Sequence, residues 1–166
     1  AARFNSPHYP SITTDTWLLF LPDFSNNKIR KADSAGVVTT FTGSGTNSST
    51  DGTGTAATHK NPIALTVDTT NTNMYCSEYI SHVVRQIVLS SAAVTTFAGT
   101  YGSIATTDGT GAAARLSYPW GSLFAASTTT PLYLCDERNN RIRAVTTPGA
   151  VVSTWAGTSN GSADGT

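Results

Sequence analysis

Apolar residues along this chain fall in short, evenly spaced runs divided by Gly, Thr, Asn and Asp, and no window holds a helical period. The middle of the chain shows the pattern best. It predicts four strands, at 63–67, 73–77, 82–88 and 94–98, separated by turn-forming residues. Residues 17–21 (Trp-Leu-Leu-Phe-Leu) are apolar throughout. A strand of that kind is covered on both faces, as in a sheet packed between two others. The fold class expected is all-β.

The same phrases recur. Ile29-Arg30, Val84-Arg85 and Ile142-Arg143 are each followed by Val-Thr/Ser-Thr-aromatic, at 38–41, 94–97 and 152–155. Asp51-Gly52, Asp108-Gly109 and Asp164-Gly165 form a second series. Ala2, Ala57 and Ala114, followed by Pro7, Pro62 and Pro119, form a third. Three series with a common period of about 56 residues define three repeats, at 1–55, 56–112 and 113–166.

Each repeat has the same turn chemistry. Asp23, Glu78 and Asp136 end the second strand and are followed by Asn26-Asn27, Ser81-His82 and Asn139-Asn140, which are hairpin signals. Arg30, Arg85 and Arg143 lie across the hairpin from these acids, where cross-strand ion pairs are expected. Asp51, Asp108 and Asp164 are single acids before Gly. Calcium loops need several oxygen ligands at alternate positions, so these read as turn-formers.

Taken together, Ala2-Arg3-Phe4-Asn5-Ser6-Pro7, Leu132-Tyr133-Leu134-Cys135-Asp136, Asn140-Arg141-Ile142-Arg143 and Val152-Ser153-Thr154-Trp155-Ala156-Gly157 resemble the NHL repeat. The resemblance spans nearly the whole chain. The first copy departs most, with Phe20, Pro22 and Thr42 at pattern positions. It implies four-stranded antiparallel blades of β-propeller type. It does not imply one function, since members serve in RNA binding, protein binding, sensing and lyase catalysis. Three blades leave two apolar faces uncovered, and closed propellers use about four to eight blades. The chain is therefore expected to belong to a longer repeated polypeptide, to close a six-bladed ring with a second copy, or to stack head to tail. Both termini lie near one repeat boundary, as if cut from a longer array.

Composition narrows the function. Charged residues are 12 % of the chain, the formal net charge is zero, and 14 Gly accompany many Thr and Ser. A neutral, hydroxyl-rich surface points to an extracellular or cell-surface location, and a secretion signal is expected upstream. Lys28, Lys31, Arg138 and Arg141 flank the repeated arginines, but Val83 and Gln86 interrupt the patch in the second copy, so no nucleic-acid partner is expected. No run is long enough to span a membrane as a helix.

Two cysteines, Cys76 and Cys135, sit one residue out of step in neighbouring repeats and are expected as separate buried thiols. His8, His59 and His82 occupy three different repeat positions with no local carboxylate cluster. No catalytic residue, metal site or cofactor is assigned. Asn47-Ser48-Ser49 and Asn160-Gly161-Ser162 are N-glycosylation patterns. The Thr-rich turns offer Thr13, Thr14, Thr69, Thr70, Thr128, Thr129 and Thr130 as candidate O-glycan acceptors.

The expected function is non-catalytic and extracellular: a structural or adhesive repeat acting by blade-to-blade and subunit packing, as a filament subunit or a segment of a longer array. The alternative is a ligand- or protein-binding propeller module, and an NHL-type lyase ranks last. Expected partners are copies of the chain or further repeats, together with glycans. Leu19, Tyr75 and Tyr133 are expected in the core, each truncation to Ala costing about 2–5 kcal/mol.

Overall fold

A computed structural model describes residues 1–124 and 131–162. Three antiparallel sheets follow one another along the chain. The first is β1 (Ser11–Ile12), β2 (Leu19–Asp23), β3 (Lys28–Ala32) and β4 (Val38–Thr42). The second contains β5 (Gly52–Thr53), β6 (Pro62–Val67), β7 (Asn73–Glu78), β8 (Val83–Val88) and β9 (Ala93–Gly99), in the spatial order β5-β9-β8-β7-β6. The third repeats that order with β10 (Gly109–Thr110), β14 (Val151–Ala156), β13 (Arg141–Val145), β12 (Leu132–Asp136) and β11 (Pro119–Phe124). The four strands expected in the middle repeat are β6 to β9.

The turns explain the connections. Asn27 and Asn140 take left-handed dihedrals after short 3-10 turns, with φ 54° in both, which Asn tolerates better than branched residues. His82 does the same job in the second sheet at φ 63°. Gly43 sits at φ 96°, and an added Cβ would come within 2.7 Å of the Asn27 carbonyl, so both dihedral and space demand glycine.

One feature of the topology departs from a simple repeat. After β4 the chain crosses to the far edge of the second sheet, where β5 pairs with β9 (Gly52↔Val94, Thr53↔Ala93). It does so again after β9, with β10 paired to β14. The second and third sheets thus each borrow a strand encoded ahead of the repeat boundaries at 55/56 and 112/113.

Two apolar clusters fill the two gaps between sheets. Phe20 and Ile29 of the first sheet meet Ala57, Leu65, Met74, Cys76, Ile87 and Val94 of the second. Tyr75, Val84, Phe97 and Ala98 of the second meet Ala114, Leu116, Leu132, Leu134, Val145 and Val152 of the third. The inner strands β1, β6 and β11 run side by side: Leu65 donates its N–H to the Tyr9 carbonyl at 3.2 Å, and Thr66 Oγ1 donates to the Ser122 carbonyl at 2.7 Å.

The outward faces of the first and third sheets meet no further sheet among the described residues, which corrects two expectations. Tyr75 is buried, but Tyr133, its match in the third sheet, is only half-buried, and so is Leu19, which precedes the matching Phe20 in the first. Both cysteines are free thiols; Cys76 is buried between sheets, whereas Cys135 is exposed because it lies on the outward face of the third.

Candidate functional site

The repeated arginines are the centres of interstrand clamps. Arg85 Nη1 meets Glu78 Oε1 at 3.0 Å and Arg85 Nη2 meets Asp51 Oδ1 at 2.8 Å. Arg143 repeats this with Asp136 at 2.7 Å and Asp108 at 2.6 Å. The Asp51 carboxylate also accepts the Thr96 N–H, as Asp108 accepts that of Thr154. Read from sequence as turn-formers, Asp51 and Asp108 instead hold the borrowed strand onto the next sheet. Arg30 pairs with Asp23 alone among the described residues, at 3.1 Å. Asp164 lies outside the described residues.

Burial and hydrogen bonds compete at these acids. Burial pushes the Glu78 carboxyl up, but the His59 and Arg85 contacts outweigh it and hold it below its usual value. Asp108 is also lowered: burial, the largest single effect, raises it, but the Thr154 N–H and hydroxyl and the Arg143 guanidinium together outweigh it.

A second constellation joins residues far apart in sequence. His59 Nδ1 lies 2.9 Å from Glu78 Oε1, and its Nε2 lies 2.8 Å from Thr42 Oγ1. Hydroxyl, imidazole and carboxylate in that order have the connectivity of a nucleophile, base and orienting acid. All three are fully buried, so no substrate reaches Thr42. The arrangement ties the first sheet to the second. Sequence reasoning missed it because His59 and Glu78 are 19 positions apart and each belongs to a different local motif.

The surface feature with the chemistry of recognition is a row of aromatics along the rim carrying the β2–β3, β7–β8 and β12–β13 turns. His8 packs against Phe24 and Tyr9, at centroid distances of 5.0 Å and 6.3 Å. Tyr9 meets Trp120 at 6.3 Å, Trp120 meets Tyr79 at 5.0 Å, and Tyr79 meets Tyr118 at 4.8 Å. Tyr118 then meets His82 at 4.6 Å, and the Arg138 guanidinium sits over the Tyr118 ring at 4.8 Å. The Tyr79 hydroxyl donates to Glu137 at 2.8 Å. Tyr9 is exposed and Tyr79, Tyr118 and Trp120 are half-buried, so the row offers rigid rings to solvent. Burial, and then Lys60, lower the pKa of His82 and favour its neutral form. These residues occupy unlike positions in the three repeats, so no single motif in the sequence announces them.

The opposite rim carries the Thr-rich turns. Thr14, Thr69 and Thr70 are exposed. Thr13 is buried: it pairs with Thr16 Oγ1 at 2.9 Å and accepts the Leu18 N–H at 3.1 Å, which removes it as a glycan acceptor. Thr128, Thr129 and Thr130 lie outside the described residues. Asn47 and Asn160 are exposed. Between the second and third sheets on this rim, Asp68, Asn73, Tyr75, Gln86 and Phe124 line a groove of about 420 Å³. Among the described residues no cluster of His, Cys, Asp or Glu is placed to hold a metal ion, and no helix is long and apolar enough to cross a membrane.

Solved structures share this arrangement of sheets. An auxiliary nutrient binding protein from Bacteroides thetaiotaomicron superposes with a TM-score of 0.75 at 17% identity, over 93% of this chain and 38% of its own. The fold is that of a β-propeller. A gluconolactonase from Xanthomonas campestris gives a TM-score of 0.64 at 10% identity, covering 93% of this chain and 48% of its own. A virginiamycin B lyase from Staphylococcus aureus gives 0.60 at 13% identity, covering 91% of this chain and 41% of its own. The chain spans less than half the length of these propellers, and among the described residues its three sheets are blades that do not close a ring. No protein-family signature and no curated relative matches the sequence.

Proposed function

We propose that this chain is a non-catalytic, adhesive propeller segment that binds a protein partner on its aromatic rim. The observation that carries the reading is the continuous row Tyr9, Trp120, Tyr79 and Tyr118 with Arg138 stacked on its end. Tyr, Trp and Arg are the residues that dominate binding energy at protein interfaces, because they bring large contact area with few rotors and a polar edge. Here their rings are held by one another, so little ordering remains to be done on binding.

Binding of a small nutrient or other ligand is the second reading, favoured by the mixed polar and aromatic lining of the groove beside Tyr75 and Phe124. The Thr42–His59–Glu78 relay is sealed between two sheets and is read as structural. The charge-poor, Ser- and Thr-rich composition supports an extracellular or surface location, with Asn47 and Asn160 as accessible acceptors.

The test is an immobilised-protein capture from secreted and surface proteins of the native source, with Tyr79→Ala/Trp120→Ala beside the unaltered chain. Loss of specific captured proteins from the variant, with an unchanged melting temperature, supports the reading. Identical capture by both proteins contradicts it.

A further inference from the structure

The formal net charge of zero conceals an uneven division of charge between the two rims. Asp23, Asp51, Glu78, Asp108 and Asp136 are held by Arg30, Arg85 and Arg143 within the blades. Asp15, Asp33 and Asp68 lie in the turns of the Thr-rich rim. Each accepts a backbone N–H of its own turn: Asp15 from Thr16 at 2.7 Å, Asp33 from Val37 at 2.9 Å and Asp68 from Thr72 at 2.9 Å. None of the three makes an ion pair among the described residues.

Cations gather on the aromatic rim. Lys28 opens β3 directly after the first turn, Lys60 stands just ahead of β6, and Arg138 lies in the turn between β12 and β13. Among the described residues these three make no ion pair either.

Two of them are held on aromatic rings instead. Lys60 Nζ donates to the Tyr101 hydroxyl at 3.1 Å and lies 5.2 Å from the centre of that ring. Tyr101 is 50% exposed, and its loop is fixed to the β7–β8 turn by the Gly102 N–H, which donates to the Ser81 carbonyl at 3.1 Å. Arg138 is exposed and lies over Tyr118. The charge of Lys60 is felt at His82, which packs on Tyr118, so both cations flank one stretch of rings. A cation stacked on a ring is held in place while its remaining N–H donors face solvent.

We infer that the partner on this rim is an acidic protein segment, whose Asp or Glu carboxylates meet Lys60 and Arg138 while neighbouring apolar side chains lie on Tyr79 and Trp120. The inference rests on the aromatic-rim reading above and adds the chemistry of the partner. Opposite charge steers such a segment to this rim, and the acids of the other rim repel it. Single-stranded nucleic acid fits less well, because base stacking needs open ring faces. Here Tyr79 meets Tyr118 and Trp120 edge to face, the Tyr118 face carries Arg138, and the exposed Glu137 sits among them.

The test measures fluorescence anisotropy of three labelled probes with the 166-residue chain: a Glu–Tyr copolymer, a Lys–Tyr copolymer and oligothymidylate. The Glu–Tyr copolymer is expected to bind most tightly, and more weakly as salt rises from about 0.1 M to about 1 M. Lys60→Gln/Arg138→Gln is expected to raise its dissociation constant by about 10-fold or more, and the charge-keeping Lys60→Arg/Arg138→Lys by less than about 3-fold. Melting temperatures are expected to stay unchanged. No binding of the Glu–Tyr copolymer, tighter binding of either other probe, or equal binding by the Gln variant overturns the inference. The capture experiment separates this from the rim reading. Proteins lost with Tyr79→Ala/Trp120→Ala but kept with Lys60→Gln/Arg138→Gln would overturn the acidic partner alone. Proteins kept with both would overturn the rim reading and the inference with it.

Discussion

Blades two and three have nearly the same strands, registers and ion pairs, yet the same positions are buried in one and open in the other. Phe97 is 8% exposed, and Trp155, its counterpart on β14, is 63% exposed. Tyr75 and Phe97 pack edge to face at 4.9 Å beneath blade three, and Tyr133 and Trp155 make the same contact at 5.1 Å facing outward. The pairing geometry is set within the blade by cross-strand neighbours. Its energetic value is set by whether another blade covers it.

The largest effect is expected where a buried charge loses its partner. Glu78→Gln leaves Arg85 and His59 inside a sealed junction without their carboxylate and is expected to cost about 3–5 kcal/mol. Asp23→Asn, beside the partly exposed Arg30, is expected to cost clearly less. Urea unfolding of both variants measures the difference, and equal costs would remove the distinction between covered and open blades.

Aromatic truncation sharpens the same contrast. Phe97→Ala is expected to lose about 3–5 kcal/mol, as for other buried aromatics. Trp155→Ala is expected to stay within about 1 kcal/mol. Melting temperatures of the two variants measure the contrast, and equal losses would remove it.

Acid is expected to weaken the covered junctions next. Glu78 titrates below its ordinary value of 4.5 and Asp108 below 3.8, so the stabilisation from each is complete above those values and is lost as pH falls through the lowered ones. The His82 pKa lies below 6.5, so its stabilisation is also present at neutral pH and lost on acidification. Stability measured from pH 7 downward is therefore expected to fall, with the steepest loss below about pH 4.5, and to fall less steeply in Glu78→Gln. The smallest stability effect belongs to Tyr79→Ala/Trp120→Ala, expected within about 1 kcal/mol by the same unfolding assay.

Much of this was legible in the chain because it is local. The strands follow from period-2 runs and turn residues, and the pairing of Arg30, Arg85 and Arg143 with Asp23, Glu78 and Asp136 follows from hairpin geometry. The strand exchange was not, because Asp51 and Asp108 read locally as turns while their partners, Arg85 and Arg143, lie a repeat further on. Their nearly equal spacing from those arginines, 34 and 35 positions, was the one available signal. His59 stands where Phe4 and Leu116 stand in the other copies, and a histidine in an apolar series was a sign of a buried acid nearby. The exposure of Cys135 and Trp155 had no local signal at all, because it depends on what lies beyond the third blade.

Hydrogen exchange of the chain tests the contrast between covered and open blades most directly. Strong protection is expected for β8 and β9, packed between two sheets, and clearly weaker protection for β14, whose outer face is open. Protection of β14 equal to that of β9 would contradict it.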